Sequence, residues 1–210
     1  MEAKDIDSLL DELINEIKNI DSNNHLNERY LHHIFSHKLQ SFSDKYIVSL
    51  SSVDGLHPEW STFITGIKER KGGKYKKDGK EYKAANSNEG SSGYIDFAIG
   101  NANKPDYAIE FKMSNNLDKE GVIFDYMKLM DSKNPFEKSF SVVIYYGRNR
   151  HSKNCEIDTL VDCYNKAKNR LNDKSRFAEG RLYRFVLIEV IDGNIKTFIE
   201  SNKNGKFDYK

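Results

Sequence analysis

Two apolar runs separated by a short turn constrain this chain more than any other feature. Residues 93–100 read Gly-Tyr-Ile-Asp-Phe-Ala-Ile-Gly, residues 101–105 are turn material ending in Pro105, and residues 106–113 read Asp-Tyr-Ala-Ile-Glu-Phe-Lys-Met. A strand turns successive side chains to opposite faces. In the second run Tyr107, Ile109 and Phe111 therefore share an apolar face, while Ala108, Glu110 and Lys112 share the other. In the first, Ile95, Phe97 and Ile99 alternate with Tyr94, Asp96 and Ala98. Burying a charge without a partner is costly, so charges inside two core-forming strands need a reason. If the runs pair as a hairpin, Asp96 lies beside Glu110. Two carboxylates at close range repel, and a divalent cation relieves that repulsion. Lys112 would point at the same space, placed to orient a water or meet a phosphate. The alternative is a surface salt bridge on a half-exposed strand.

The flanking periodicities complete an α/β chain. Apolar side chains at Ile6, Leu9, Leu10, Leu13, Ile14, Ile17 and Ile20 predict an amphipathic helix, and Asp21-Ser22-Asn23-Asn24 ends it. Tyr30, Leu31, Ile34, Phe35 and Leu39 mark a second helix over 27–40. Residues 46–50 and, more weakly, 59–67 read as strands, and the Lys-, Gly- and Ser-rich stretch 68–93 as a loop or irregular hairpin. After the two central runs come a helix over 118–130, a fully buried kind of strand over 140–146 and a helix over 156–171. Strands over 182–190 and 194–200 close a hairpin around Asp192-Gly193. The order predicts a mixed central sheet flanked by helices. Residues 1–22 form an acidic N-terminal helix, packed on the domain of residues 23–210 or used for association, a homodimer included.

Composition excludes several classes. The chain has 210 residues with twelve Phe, twelve Tyr and one Trp, enough bulk for a packed interior. No apolar stretch approaches the roughly 20 residues that span a bilayer, and the acidic opening 1–5 lacks a signal-peptide core, so a cytoplasmic protein is expected. Cys155 and Cys163 lie eight residues apart on a predicted helix, about 12 Å of rise and too far for a disulfide. A net charge of +1 hides segments of opposite sign: −5 over 1–21, +5 over 68–83 and +4 over 148–176. The basic segments could meet phosphate or simply be solvated surface.

Ile95-Asp96, a turn-containing gap, and Glu110-Phe111-Lys112 inside an apolar strand resemble the PD-(D/E)XK nuclease superfamily over residues 27–146. The resemblance implies a restriction-endonuclease-like fold and metal-dependent hydrolysis of nucleic-acid phosphodiesters, DNA more than RNA, in restriction, repair or anti-phage defence. It implies that Asp96 and Glu110 bind the metal, usually Mg2+ with Mn2+ as a substitute, and that Lys112 assists hydrolysis. Glu28, in Asn27-Glu-Arg-Tyr-Leu, matches the Glu that the family often carries on the preceding helix, and Asp125 and Lys128 follow a pattern that some members show on the next one. Ile95 departs from the motif's Pro. The alternative is a catalytically inactive binding or interaction module on the same fold.

Other residues are weaker candidates. Lys74, Lys76 and Lys77, with Tyr75 and Tyr82 interleaved, suit phosphate contact and base stacking, and Arg148 and Arg150 suit a nucleic-acid backbone at the sheet end. His33 and His37 have the i, i+4 spacing of two metal ligands but no identifiable third. Trp60 reads as a core anchor, with His57 and Glu59 near the cleft. Gly72-Gly73 is not followed by the Gly-Lys-Ser/Thr of a phosphate loop, so an NTPase is unsupported.

Overall fold

The computed structural model describes residues 3–18, 27–42, 54–62, 74–77, 80–83, 93–114, 118–147, 156–191, 194–201 and 207–209. The chain runs α1 (Ala3–Lys18), α2 (Glu28–Phe42), β1 (Asp54–Ser61), β2 (Lys74–Lys77), β3 (Lys80–Lys83), β4 (Tyr94–Asn101), β5 (Lys104–Ser114) and α3 (Lys119–Met130). It continues with β6 (Lys138–Gly147), α4 (Glu156–Asn172), β7 (Leu182–Ile191), β8 (Asn194–Ser201) and β9 (Phe207–Tyr209). Seven strands form one mixed sheet in the order β1-β4-β5-β6-β7-β8-β9, and β2 and β3 pair separately. The β1, β4 and β5 strands form an antiparallel meander. Helices α3 and α4 then connect the parallel strands β5, β6 and β7, and β8 and β9 return antiparallel. No described helix is long and apolar enough to cross a membrane.

The helices divide between the two sheet faces. Ile6, Leu9, Leu10, Leu13, Ile14 and Ile17 of α1 and Leu31, Phe35 and Leu39 of α2 pack with Ile99, Ile109, Phe111, Phe140, Val142, Ile144 and Ile188. On the other face Val122, Ile123, Tyr126 and Met130 of α3 and Leu160, Tyr164 and Ala167 of α4 pack with Ala98, Ala108, Val143, Phe185 and Leu187. The apolar stripe of α1 is thus buried in the chain's own core, the packed arrangement of the two expected. A polar clamp adds to it. Arg184 of β7 donates to Asp7 Oδ1 at 3.2 Å, Asp11 Oδ1 at 2.5 Å and Glu200 Oε1 at 2.6 Å, and Lys138 pairs with Asp7 at 2.5 Å. Asp7 and Asp11 of α1 thus each meet a cation at the sheet, Asp11 from a largely exposed position.

The structure shifts one expected strand, gives the hairpin reading of 68–93 its strands and adds one strand at the end. The strand expected over 59–67 overlaps β1 at 59–61; β1 begins at Asp54 and runs through His57-Pro58, and residues 63–67 lie outside the described residues. Pro58 cannot donate to a ladder, but β1 is an edge strand paired only with β4, so one side needs no donor. The stretch 68–93 contains the β2–β3 hairpin, in which Tyr75 and Tyr82 are register partners. Strand β9, only three residues long, is unexpected, although Asn204-Gly205 ahead of it is a turn signal. The strand expected over 46–50, the Asp192-Gly193 turn and Cys155 lie outside the described residues. The β4–β5 connection needs its glycine: Gly100 has a φ of +120°, and a Cβ there would stand 2.9 Å from Asp106 Oδ2.

Phe111 is 1% exposed, with the Phe35 ring centroid 5.4 Å and the Phe97 centroid 6.2 Å away. Phe111→Ala removes a packed aromatic from the face under α2 and should destabilise the chain by about 3–5 kcal/mol, read by chemical denaturation. An effect under about 1 kcal/mol would contradict this packing.

Candidate functional site

The site lies where β4 and β5 part. Their ladder runs as far as Phe97↔Ile109. Beyond that point β4 continues along β1 to Tyr94, and β5 continues along β6 to Ser114, so each strand keeps only its outer partner. Backbone N–H groups that lose a ladder partner must find another acceptor. Carboxylates take that place. Asp96 Oδ2 accepts from Phe111 N–H at 2.7 Å, Glu110 Oε2 accepts from Asp96 N–H at 3.3 Å, and Glu28 Oε2 accepts from Met113 N–H at 3.2 Å. Asp96, Glu110 and Glu28, read from the sequence as one set, are brought to one opening.

Two ammonium groups face these carboxylates. Lys128 of α3 bonds Glu110 Oε1 at 2.7 Å, Asp125 Oδ1 at 2.9 Å and the Tyr94 carbonyl at 2.7 Å. Lys112 bonds Asp125 Oδ2 at 3.1 Å and is 31% exposed, against 5% for Lys128. The structure thus places Lys112 at the opening but pairs it with Asp125, while Lys128 is the partner of Glu110. Alternation puts Glu110 and Lys112 on one face of β5, and α3 packs there, so a cation from the helix reaches the inner carboxylate first.

His32 is the residue that sequence reasoning missed. It sits one turn after Glu28 on α2, with Nε2 3.3 Å from Asp96 Oδ2 and its ring centroid 5.4 Å from that of Phe97. The approach is electrostatic, because Nε2 finds no aligned hydrogen-bond acceptor. The i, i+4 relation to Glu28 was the available signal. His33 and His37, chosen instead for their mutual spacing, are exposed. Trp60 is an anchor, packed on Phe136 at 5.3 Å with its indole N–H donating to Ala102 O at 2.8 Å. His57 Nε2 lies 2.9 Å from Gly100 O. Lys74, Lys76 and Lys77 belong to β2, outside the main sheet, and Arg148 and Arg150 lie outside the described residues.

Charge balance explains the titration behaviour. Asp96, Glu110, Asp125 and Glu28 face Lys112 and Lys128, four carboxyl groups against two ammonium groups. Burial, then Asp125 and Asp96, push the Glu110 carboxyl well above its usual range against the opposing Lys128. Burial works against the charged Lys128 and Lys112, but neighbouring carboxylates more than offset it and raise both. Burial likewise opposes a charged His32, and Asp96, with Glu28 and Glu59 beyond it, raises its pKa. Asp125 alone in the cluster is lowered: burial opposes its charge, but Lys128 and Lys112 converge on it.

No family model matches this chain, and comparison with curated proteins and with solved structures gives no match.

The donor set is hard oxygen, the type that Mg2+ takes. Among the described residues no three His, Cys, Asp or Glu side chains form a ready metal cage. Mg2+ does not require one, since it is commonly held by one or two carboxylates, with waters and substrate phosphate oxygens completing six-fold coordination. In that mode Asp96 would offer oxygen at the opening, and Glu110 would share oxygens that Lys128 and the Asp96 N–H already hold.

Gly93 makes the inner part of the site possible. A Cβ there would stand 2.6 Å from Lys128 Cδ and 2.8 Å from Phe124 Cε1. Gly93→Ala should therefore displace Lys128 or the Phe124 ring and destabilise the chain by about 1–3 kcal/mol in thermal or denaturant unfolding. An unchanged melting temperature would mean that Lys128 is not seated over Gly93.

Proposed function

We propose that this chain is a Mg2+-dependent nuclease with a restriction-endonuclease-like core, hydrolysing nucleic-acid phosphodiester bonds. The observation that carries the reading is the reciprocal bridging of Asp96 and Glu110 where β4 leaves β5, with Glu28 on the Met113 N–H farther along β5. The order α2, β1, β4, β5, α3, β6 supports the core, with Asp96 on the middle strand of the meander and Glu110-x-Lys112 on the last. DNA as the preferred substrate follows from the family resemblance alone.

Asp96 and Glu110 would hold Mg2+, which supplies charge neutralisation at the phosphate and a bound water of lowered pKa. Glu28 holds the end of β5 and faces the opening from α2. Lys112, partly exposed and steered by Asp125, is placed to donate to a non-bridging phosphate oxygen or to orient the attacking water. His32 stands against Asp96 and keeps that carboxylate from turning away. A second reading, a binding module without catalysis, is favoured by one observation: Lys128 already neutralises Glu110.

Cleavage of mixed DNA and RNA substrates with Mg2+ separates the two. Asp96→Asn and Lys112→Ala should each lower the cleavage rate by at least about a hundredfold while the far-ultraviolet circular dichroism stays unchanged. A folded Lys112→Ala protein that cuts at the wild-type rate would sink the assigned mechanism. A wild type that binds nucleic acid but never cuts it supports the second reading.

The basic hairpin generates a separate expectation. Lys74, Lys76 and Lys77 contribute to a segment of charge +5, and such charge holds phosphate without reading bases. Replacing all three with Ala should weaken nucleic-acid binding and flatten the dependence of log K on log salt by about two to three units. An unchanged slope would remove the hairpin from the interface.

A further inference from the structure

The Lys128 ammonium has three protons to donate, and three acceptors take them: Glu110 Oε1, Asp125 Oδ1 and Tyr94 O. With 5% of the side chain exposed, this is a fixed internal charge. The surrounding chain is built for it. Gly93 leaves the room through which the lysine stem passes, and Phe124 lies beside the ammonium at 5.7 Å from its centroid. Lys112 is used differently, since it bonds the far oxygen of Asp125 and is six times as exposed, 31% against 5%. One lysine faces outward toward a substrate; the other faces inward on a carboxylate assigned to the metal.

We propose that Lys128 is a positioning residue that holds Glu110 as an internal counter-ion and competes with the divalent cation for it. This rests on the metal reading of Asp96 and Glu110. Glu110 is buried and needs a positive partner to remain charged. Lys128 supplies one in the free protein, so the fold does not depend on metal. The same contact weakens metal binding, because a cation approaching Glu110 must share its carboxylate with an ammonium 2.7 Å from Oε1. Like charges a few ångströms apart in a partly dry site repel strongly. A phosphate brings negative charge to the opening and offsets that repulsion, so the site is tuned to load its cation together with substrate.

Calorimetric titration of the full chain with Ca2+, without nucleic acid, tests this apart from catalysis. Lys128→Met removes the charge and keeps most of the stem. It should bind Ca2+ about tenfold or more tightly than wild type, and Ca2+ should raise its melting temperature by more. Lys128→Arg retains the charge and should stay near wild-type affinity. The double variant Glu110→Gln/Lys128→Met should lose the gain. If Lys128→Met fails to fold alone, Ca2+ should restore folding, and a chain that stays unfolded in excess Ca2+ overturns the proposal. Equal affinities in wild type and Lys128→Met, both abolished by Asp96→Asn, also overturn it and leave the metal site standing. Absence of Ca2+ binding in both proteins instead removes the metal site itself, and this inference with it.

Discussion

Everything distinctive in this structure depends on β4 leaving β5 after one well-formed stretch of ladder. A sheet that opens in its interior exposes backbone donors that water cannot conveniently reach, and the chain answers with carboxylates. Asp96 and Glu110 bridge the gap reciprocally, each strand's acid serving the other strand's N–H, and Glu28 covers the next donor from α2. The opening is thereby held in a defined shape rather than collapsing into more sheet. Its consequence is a concentration of negative charge at the border of the core.

That charge organises both helical layers. Helix α2 lies over one sheet face and contributes Glu28 and His32; α3 lies over the other and contributes Asp125 and Lys128. Neither layer alone neutralises the opening. The inner ammonium serves Glu110 and the outer one serves Asp125, so a row of alternating charge runs from the Tyr94 carbonyl to the exposed side of β5. Away from this row the same rule holds in purely structural form. Arg184 and Lys138 meet the acids of α1, and Arg181 donates to the carbonyls of Leu129, Asp131, Asn134 and Phe136 to tie the α3–β6 connection. The functional cluster differs in that its carboxylates also take the backbone N–H groups left where β4 and β5 part.

Period and apolar content made the helices and the central strands legible. The stripe from Ile6 to Ile17 and the buried run at Phe140–Tyr145 carry their own burial pattern, whereas the alternation expected of β4 breaks: Ile95 packs with Ala98 under α3 and α4, and Phe97 and Ile99 pack under α1 and α2. Strand β1 was partly hidden because His57-Pro58-Glu59 reads as a turn, and only its edge position makes it tolerable as a strand. His32 was hidden for another reason: among three histidines on one helix, the pair with metal-like spacing attracts notice, whereas the one that matters is defined by what lies across from it.

The sequence by itself determined that Glu110 and Lys112 stand on the face of β5 opposite Ile109 and Phe111, with Asp96 on the strand beside them, because side chains alternate along a strand. Only the tertiary structure decided how they are paired. Local spacing sets the face on which a side chain stands, but hydrogen-bond partners depend on where two distant strands part and on which helix packs over the gap. Thus Lys112, two residues from Glu110, serves Asp125, and Lys128, eighteen residues away, serves Glu110. A buried carboxylate is held by the charge that reaches it through the least water, and sequence separation does not measure that path.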